Sequence, residues 1–371
     1  MNYYPRLLKF IVPIIILGTW FDSEGCRKRV SKPWQQEDIP APKKIKKNDN
    51  IDLDFCTMKG DLVVNMDTEQ TFVTKYVLEN GMTVLVRPVH TVPNVSLQIW
   101  YNVGSKDEKT GERGIAHLIE HMIFKGTNKL SESDINVLNH MLSASTNAFT
   151  SYDYTGYLFN IPSHHWQETF PVMADCMVNC SFKEDHLSSE MKAVIQELKM
   201  RRDNYQLTLI EDMLSTIFGD HPYHYPIIGF KQDLWTVRSN DLRAFYKKHY
   251  WPNNATLVVV GDVKPEEVFK LAEQHFGEIP ANPKYKKEEF FSGKDIVSKT
   301  VTVYRDVKQP MVAFAYAVPG MREKMEHALD IGSWVLGKGK GSRLYRKLVN
   351  ELELVTSIEV DTCLFKRSCE C

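Results

Sequence analysis

The sequence carries almost no net charge: 46 Lys and Arg stand against 47 Asp and Glu, leaving −1 over 371 residues. No global field steers a polyanion or an anionic membrane, so no nucleic acid is expected as a partner. The chain also lacks the paired cysteine spacing of a zinc finger and the glycine-rich loop that cradles phosphates. Its N-terminal apolar run, residues 10–17, is interrupted by Pro13 and is too short for a transmembrane helix of about 20 residues. What remains is an ordinary globular balance, 43% hydrophobic and 25% charged, in a chain long enough for two domains.

Arg6 and Lys9 precede that run, giving the n-region and h-region of a signal peptide. Residues 1–25 are therefore expected to be a signal peptide or N-terminal anchor. The protein is expected to be exported, either periplasmic or secreted, with membrane anchoring through the N-terminus as a variant. Residues 26–59 are rich in Lys, Pro and Asp and read as a polar linker. Seven cysteines are present, an odd count that leaves at least one thiol unpaired. Cys176 and Cys180 sit one turn apart in an apolar helix and are expected as core thiols.

Residues 117–121 read His-Leu-Ile-Glu-His. On a helix, His117, Glu120 and His121 share one face. That face can hold zinc between the imidazoles and set a carboxylate beside the metal's water. The order H-x-x-E-H is the inverzincin signature. The flanking Ile115, Leu118, Ile119, Met122, Ile123 and Phe124 predict a buried helix, where His and Glu need partners and a metal is one. The alternative is an amphipathic helix with solvent-facing His and Glu. A catalytic zinc site needs a third protein ligand. Residues 187–204 predict a helix with Ser188 or Ser189 as N-cap. Glu190 and Glu197 lie two turns apart on the face that also carries Val194. Taken alone, these two also fit exposed positions on a surface helix.

From about Thr71 to about Asp361 the sequence resembles the pitrilysin, insulinase and mitochondrial processing peptidase family of zinc peptidases. The resemblance runs through Leu78-Glu79-Asn80-Gly81-Met82-Thr83-Val84-Leu85-Val86, Val103-Gly104-Ser105, Glu108, and Gly114 through Gly126-Thr127. It continues in Asn147-Ala148-Phe149-Thr150, Asp153-Tyr154-Thr155, His221-Pro222-Tyr223 and Ile228-Gly229. Asn253-Asn254-Ala255, Val260-Gly261-Asp262 and Gly341-Ser342-Arg343-Leu344 complete it. The resemblance implies His117, His121 and Glu197 as ligands of one Zn2+ per chain, Glu197 lying 76 residues beyond His121. It implies Glu120 as general base and Glu190 behind the ligands, orienting one of them. Asn147, Ala148 and Phe149 resemble the family's edge strand, along which an extended peptide adds as a further strand. The implied function is a zinc endopeptidase acting on extended or unfolded peptides. The alternative is a non-cleaving peptide-binding or structural subunit that needs a partner half.

Strands are expected at 83–86, 96–101, 157–161 and 255–260, with a hairpin at Asn80-Gly81 leading into the 83–86 strand. Helices are expected at 113–124, 132–142, 165–179, 187–203, 207–217, 239–249 and 264–276. The expected fold is α+β, a mainly antiparallel sheet packed with helices, and the family fold agrees. The zinc-binding domain is expected over 60–285. A second, non-catalytic domain of the same kind is expected over 296–371, with strands at 300–304 and 311–316 and helices at 323–337 and 341–351. It is expected to be cut short, with a tail at 363–371 unlike the family. The family's substrate-clamping Arg and Tyr come from the other half of a clam-shell, so a partner subunit supplying that half is expected.

Overall fold

The computed structural model describes residues 12–17, 73–285, 299–316 and 326–363. The rest of the expected signal peptide, the whole expected linker and residues 364–371 of the tail lie outside the described residues, as do Cys26, Cys56, Cys369 and Cys371. The apolar run contributes strand β1 (Val12–Leu17), which pairs antiparallel with two late strands, β8 (Val312–Ala315) and β9 (Ile358–Cys363).

The main sheet has six strands: β2 (Thr74–Val77), β3 (Thr83–Pro88), β4 (Asn94–Tyr101), β5 (Ser145–Thr150), β6 (Thr155–Pro162) and β7 (Ala255–Gly261). Their order is β2-β3-β7-β4-β6-β5, and every neighbouring pair is antiparallel except β3 with β7. Gly81 takes the left-handed turn position at φ 86° between β2 and β3. Asn80 ties that turn to a distant helix end, its Nδ2 donating to the Phe276 and Ile279 carbonyls at 2.6 and 2.9 Å. Along β4 and β7 alternate residues are buried, the period-two pattern of a sheet with one face against helices.

The helices are α1 (Ile115–Met122), α2 (Glu132–Met141), α3 (Trp166–Asn179), α4 (Glu184–Asp203), α5 (Tyr205–Phe218), α6 (Lys231–Leu234), α7 (Ser239–His249), α8 (Pro265–Phe276) and α9 (Glu326–Gly337). The core joins Leu97, Ile99, Tyr157 and Phe159 of the sheet to Ile115, Leu118, Phe170 and Val194 of the helices. Cys176 is buried and Cys180 half-buried, both as free thiols.

Three local expectations change. Helix α4 starts at Glu184 with Lys183 as N-cap, so Ser188 and Ser189 lie inside its first turns. Residues 300–304 form no strand: they pair with no described neighbour, and Tyr304 is 87% exposed. The helix expected at 341–351 is largely π-helical, over Tyr345–Glu351.

Candidate metal centre and active site

Two backbone devices place α1. Gly114 precedes the helix in the left-handed region at φ 98° and offers no side-chain cap. Glu108 supplies the cap from outside the helix. Its Oε2 accepts the Gly114 N–H at 2.9 Å and its Oε1 the Ala116 N–H at 3.0 Å. Burial pushes the Glu108 carboxyl up to about 8, with those N–H groups and Arg113 pulling against it. Arg113 donates to the Glu108 carbonyl at 2.7 Å and stacks over Tyr225 at 3.8 Å. The second device is an interlock of glycines. A Cβ on Gly229 would sit 2.1 Å from the Arg113 carbonyl oxygen, and one on Gly114 would sit 2.6 Å from that of Ile228.

With Ile115, Ala116, Leu118, Ile119 and Met122 buried, His117, Glu120 and His121 occupy the helix's other face. Helix α4 answers it. Val194 is fully buried at 0% exposure, which turns Glu190 and Glu197 toward α1. Glu197 Oε2 lies 3.6 Å from His117 Nε2 and 3.7 Å from His121 Nε2. One ligand atom from each of the three lies within 4.8 Å of the others. Two bonds of about 2.0–2.1 Å at tetrahedral angles span about 3.4 Å, close to the two Glu197–imidazole distances, and two imidazoles with a carboxylate are a donor set that suits zinc.

Burial holds His117 down to about 3, helped by His121 and Arg201, so its imidazole is neutral and its nitrogen lone pair free to coordinate. Its Nδ1 is buried without a hydrogen-bond partner. His121 differs: its Nδ1 lies 3.1 Å from Glu190 Oε2. Burial alone would raise the Glu190 carboxyl, but hydrogen bonds from Lys125 and His121 bring it below the usual value. Glu120 is raised, first by burial, with Thr150 and His121 opposing and Glu197 adding to the rise. Buried close by, the hydroxyls of Tyr157 and Tyr250 are 2.8 Å apart.

Among the described residues, strand β5 forms the free edge of the main sheet, paired only with β6. At the hairpin end the Ser151 N–H donates to the Tyr154 carbonyl at 2.8 Å. The antiparallel alternation then turns the N–H and C=O groups of Thr146, Ala148 and Thr150 outward. Thr150 gives Glu120 both its backbone N–H and its hydroxyl, the hydroxyl at 2.6 Å. The Ala148 N–H donates to Asn147 Oδ1 at 2.9 Å. Ala148 packs on the core, whereas Phe149 turns to the other sheet face, edge-on to Trp100 at 5.1 Å.

The structure thus brings His117, His121 and Glu197 together, sets Glu190 behind His121 and Glu120 against β5, and puts Asn147, Ala148 and Phe149 on the free edge. Thr150, Lys125 and the capping role of Glu108 were not assigned from sequence. Thr150 was readable as the next same-face residue after Ala148, and Lys125 as four residues beyond His121.

A two-layer fold with this residue cluster on one helix pair defines a class of peptidase-like domain. Residues 83–231 match the family model described as Insulinase (Peptidase family M16), and residues 236–366 match that described as Peptidase M16 inactive domain. The chain belongs to peptidase family M16. The second match begins ahead of β7, the strand that sits between β3 and β4 of the main sheet. Zinc protease PqqE of Helicobacter pylori is 33% identical over 290 residues, covering 75% of this chain. The chain spans 64% of the length of that relative. The crystal structure of a protease from Helicobacter pylori superposes with a TM-score of 0.65 at 26% identity, over 79% of this chain and 74% of that one. The first half of the periplasmic protease PqqL from Escherichia coli gives a TM-score of 0.54 at 25% identity, over 58% of this chain and 48% of that one.

Proposed function

We propose that the chain is a zinc-dependent endopeptidase hydrolysing extended or unfolded peptides. The observation that carries the reading is the convergence of His117 Nε2, His121 Nε2 and Glu197 Oε2 on one point, beside the free edge of β5. These three residues would hold one Zn2+ per chain, in keeping with the name zinc protease carried by the PqqE relative. Held there, zinc would supply polarisation of a peptide carbonyl and acidification of a water. Glu120 serves as general base: its carboxylate takes the proton as the water attacks and returns it to the leaving amine. Burial raises its proton affinity, with Thr150 and His121 opposing and Glu197 adding to the rise, the direction that favours a proton acceptor. Glu190 fixes the ring of His121 through Nδ1. Along the segment Asn147, Ala148 and Phe149, the outward N–H and C=O of Ala148 bind the substrate backbone.

We read 60–285 as the catalytic domain and 296–371 as a second, non-catalytic one. Export is proposed with support from the periplasmic protease among the structural neighbours; residues 12–17 of the apolar run, expected within a signal peptide or anchor, instead pair as β1 with β8 and β9. Among the described residues, no helix is long and apolar enough to cross a membrane. A second reading is a non-cleaving peptide-binding subunit that needs a partner half. The match to an inactive-domain model favours it.

The deciding experiment assays the full chain on quenched fluorogenic peptides, with and without a chelator, and after zinc is restored. Chelator-sensitive cleavage is the expected result. Its absence, even with a complementary half added, sinks the enzyme reading. Calorimetric peptide binding without turnover selects the subunit reading instead.

A further inference from the structure

Behind the candidate metal centre lies a short chain of charged side chains that ends on one ligand only. Lys125 follows α1, and its Nζ lies 2.8 Å from Glu190 Oε1 and 2.8 Å from Glu132 Oε1 at the start of α2. The other oxygen of Glu190, Oε2, faces His121 Nδ1 at 3.1 Å. Glu190 is mostly buried, its side chain 12% exposed. A buried carboxylate is costly unless its oxygens are engaged. Here one oxygen takes the ammonium and the other takes the imidazole.

We propose that Lys125 is a positioning residue for metal binding: by holding Glu190 Oε1, it presents Oε2 to His121 Nδ1 and keeps the Nε2 lone pair of His121 directed at the point shared with His117 and Glu197. The inference rests on the zinc-site reading above. His117 has no equivalent support, since its Nδ1 is buried without a hydrogen-bond partner. The tautomer of one ligand is therefore held through Lys125 and Glu190, while that of the other is held by no hydrogen bond. A protonated Nδ1 leaves Nε2 as the coordinating nitrogen. Without the lysine, Glu190 has one unengaged oxygen, and its carboxylate can rotate away from His121.

The test measures zinc affinity of the full chain by competition with a chromophoric chelator. Lys125→Met is expected to bind zinc about tenfold more weakly, the lower end for loss of a partner behind a metal ligand. Lys125→Arg, which keeps a donor for Glu190, restores most of the affinity. Glu132→Gln leaves the Lys125–Glu190 contact in place and changes little. Nitrogen-15 histidine spectra of the zinc-free protein at neutral pH supply a readout that looser packing alone does not move. The wild type shows His121 as the Nδ1–H tautomer, and Lys125→Met shows a mixture. If Lys125→Met does not fold, Lys125→Gln replaces it in both measurements, with a smaller loss expected. Equal zinc affinity in wild type and Lys125→Met overturns the role of Lys125. A loss in Glu132→Gln as large as in Lys125→Met also overturns it, because the effect then comes from tying α1 to α2. A wild type that binds no zinc overturns the site reading itself.

Discussion

Replacing Gly229 by alanine probes how the fold aims α1. The residue has φ 76°, and its new Cβ would lie 2.1 Å from the Arg113 carbonyl oxygen and 2.5 Å from the Gly114 nitrogen, all backbone atoms. The left-handed conformation costs a non-glycine residue about 1–2 kcal/mol. Forcing apart two packed segments adds about 1–3 kcal/mol. The expected loss is therefore about 2–5 kcal/mol of unfolding free energy, read from urea melts. Gly111 provides the control: its φ is 90°, yet a Cβ there meets nothing within 4 Å. Gly111→Ala carries the conformational penalty alone, about 1–2 kcal/mol. The difference between the two variants isolates the interlock. Because His117 lies just beyond that junction and metal sites tolerate ligand shifts of only about 0.2 Å, Gly229→Ala also weakens zinc binding while Gly111→Ala does not. Equal stability loss in both variants, with unchanged zinc affinity, refutes the claim that the glycine contact aims the helix.

Glu120→Gln is expected to keep its zinc, measured by metal analysis, while peptide cleavage falls about 10²- to 10⁴-fold. Ala148→Pro removes an N–H that faces away from β6, so the sheet tolerates it; because that N–H already bonds Asn147 Oδ1 and a docked peptide would only exchange for it, peptide KM is expected to rise no more than about two- to threefold. His249 is held down to about 4 by burial, with Asp107 raising it and Lys248, Lys106 and Lys109 lowering it further. The unfolded chain then binds the extra proton between about pH 6.5 and 4, so stability falls as pH is lowered through that window; His249→Asn flattens the fall in urea midpoints measured across it.

Helix positions were legible wherever the apolar period was strong. Residues 239–249 and 165–179 were expected as helices, and α7 and α3 lie at Ser239–His249 and Trp166–Asn179. The start of α4 was not legible, because Ser188 and Ser189 are good capping residues locally while the chain enters the helix earlier, after Phe182 packs into the core. Residues 300–304 have the β-branched and aromatic composition of a strand, but composition does not supply a pairing partner. At the site, Glu197 was reachable only by adding a family spacing to a face argument. Lys125 and Thr150 were missed because their partners, Glu190 and Glu120, lie 65 and 30 residues away in sequence. Such pairings belong to the tertiary arrangement of α1, α4 and β5.

The edge of β5 has a consequence for the proposed activity. Two of its outward N–H groups are already engaged, Ala148 with Asn147 Oδ1 and Thr150 with Glu120. A peptide strand arriving there exchanges hydrogen bonds and gains few, so each docked residue adds little net affinity. The same self-capping blunts the edge against pairing with a second copy of the chain, a standing hazard for unprotected strands. On the proposed function, a cut peptide would leave each fragment with only part of the ladder, while Asn147 and Glu120 would compete to close behind it. Under that proposal the edge would favour brief occupancy: its grip would depend on the length of the guest, and cutting the guest would loosen it.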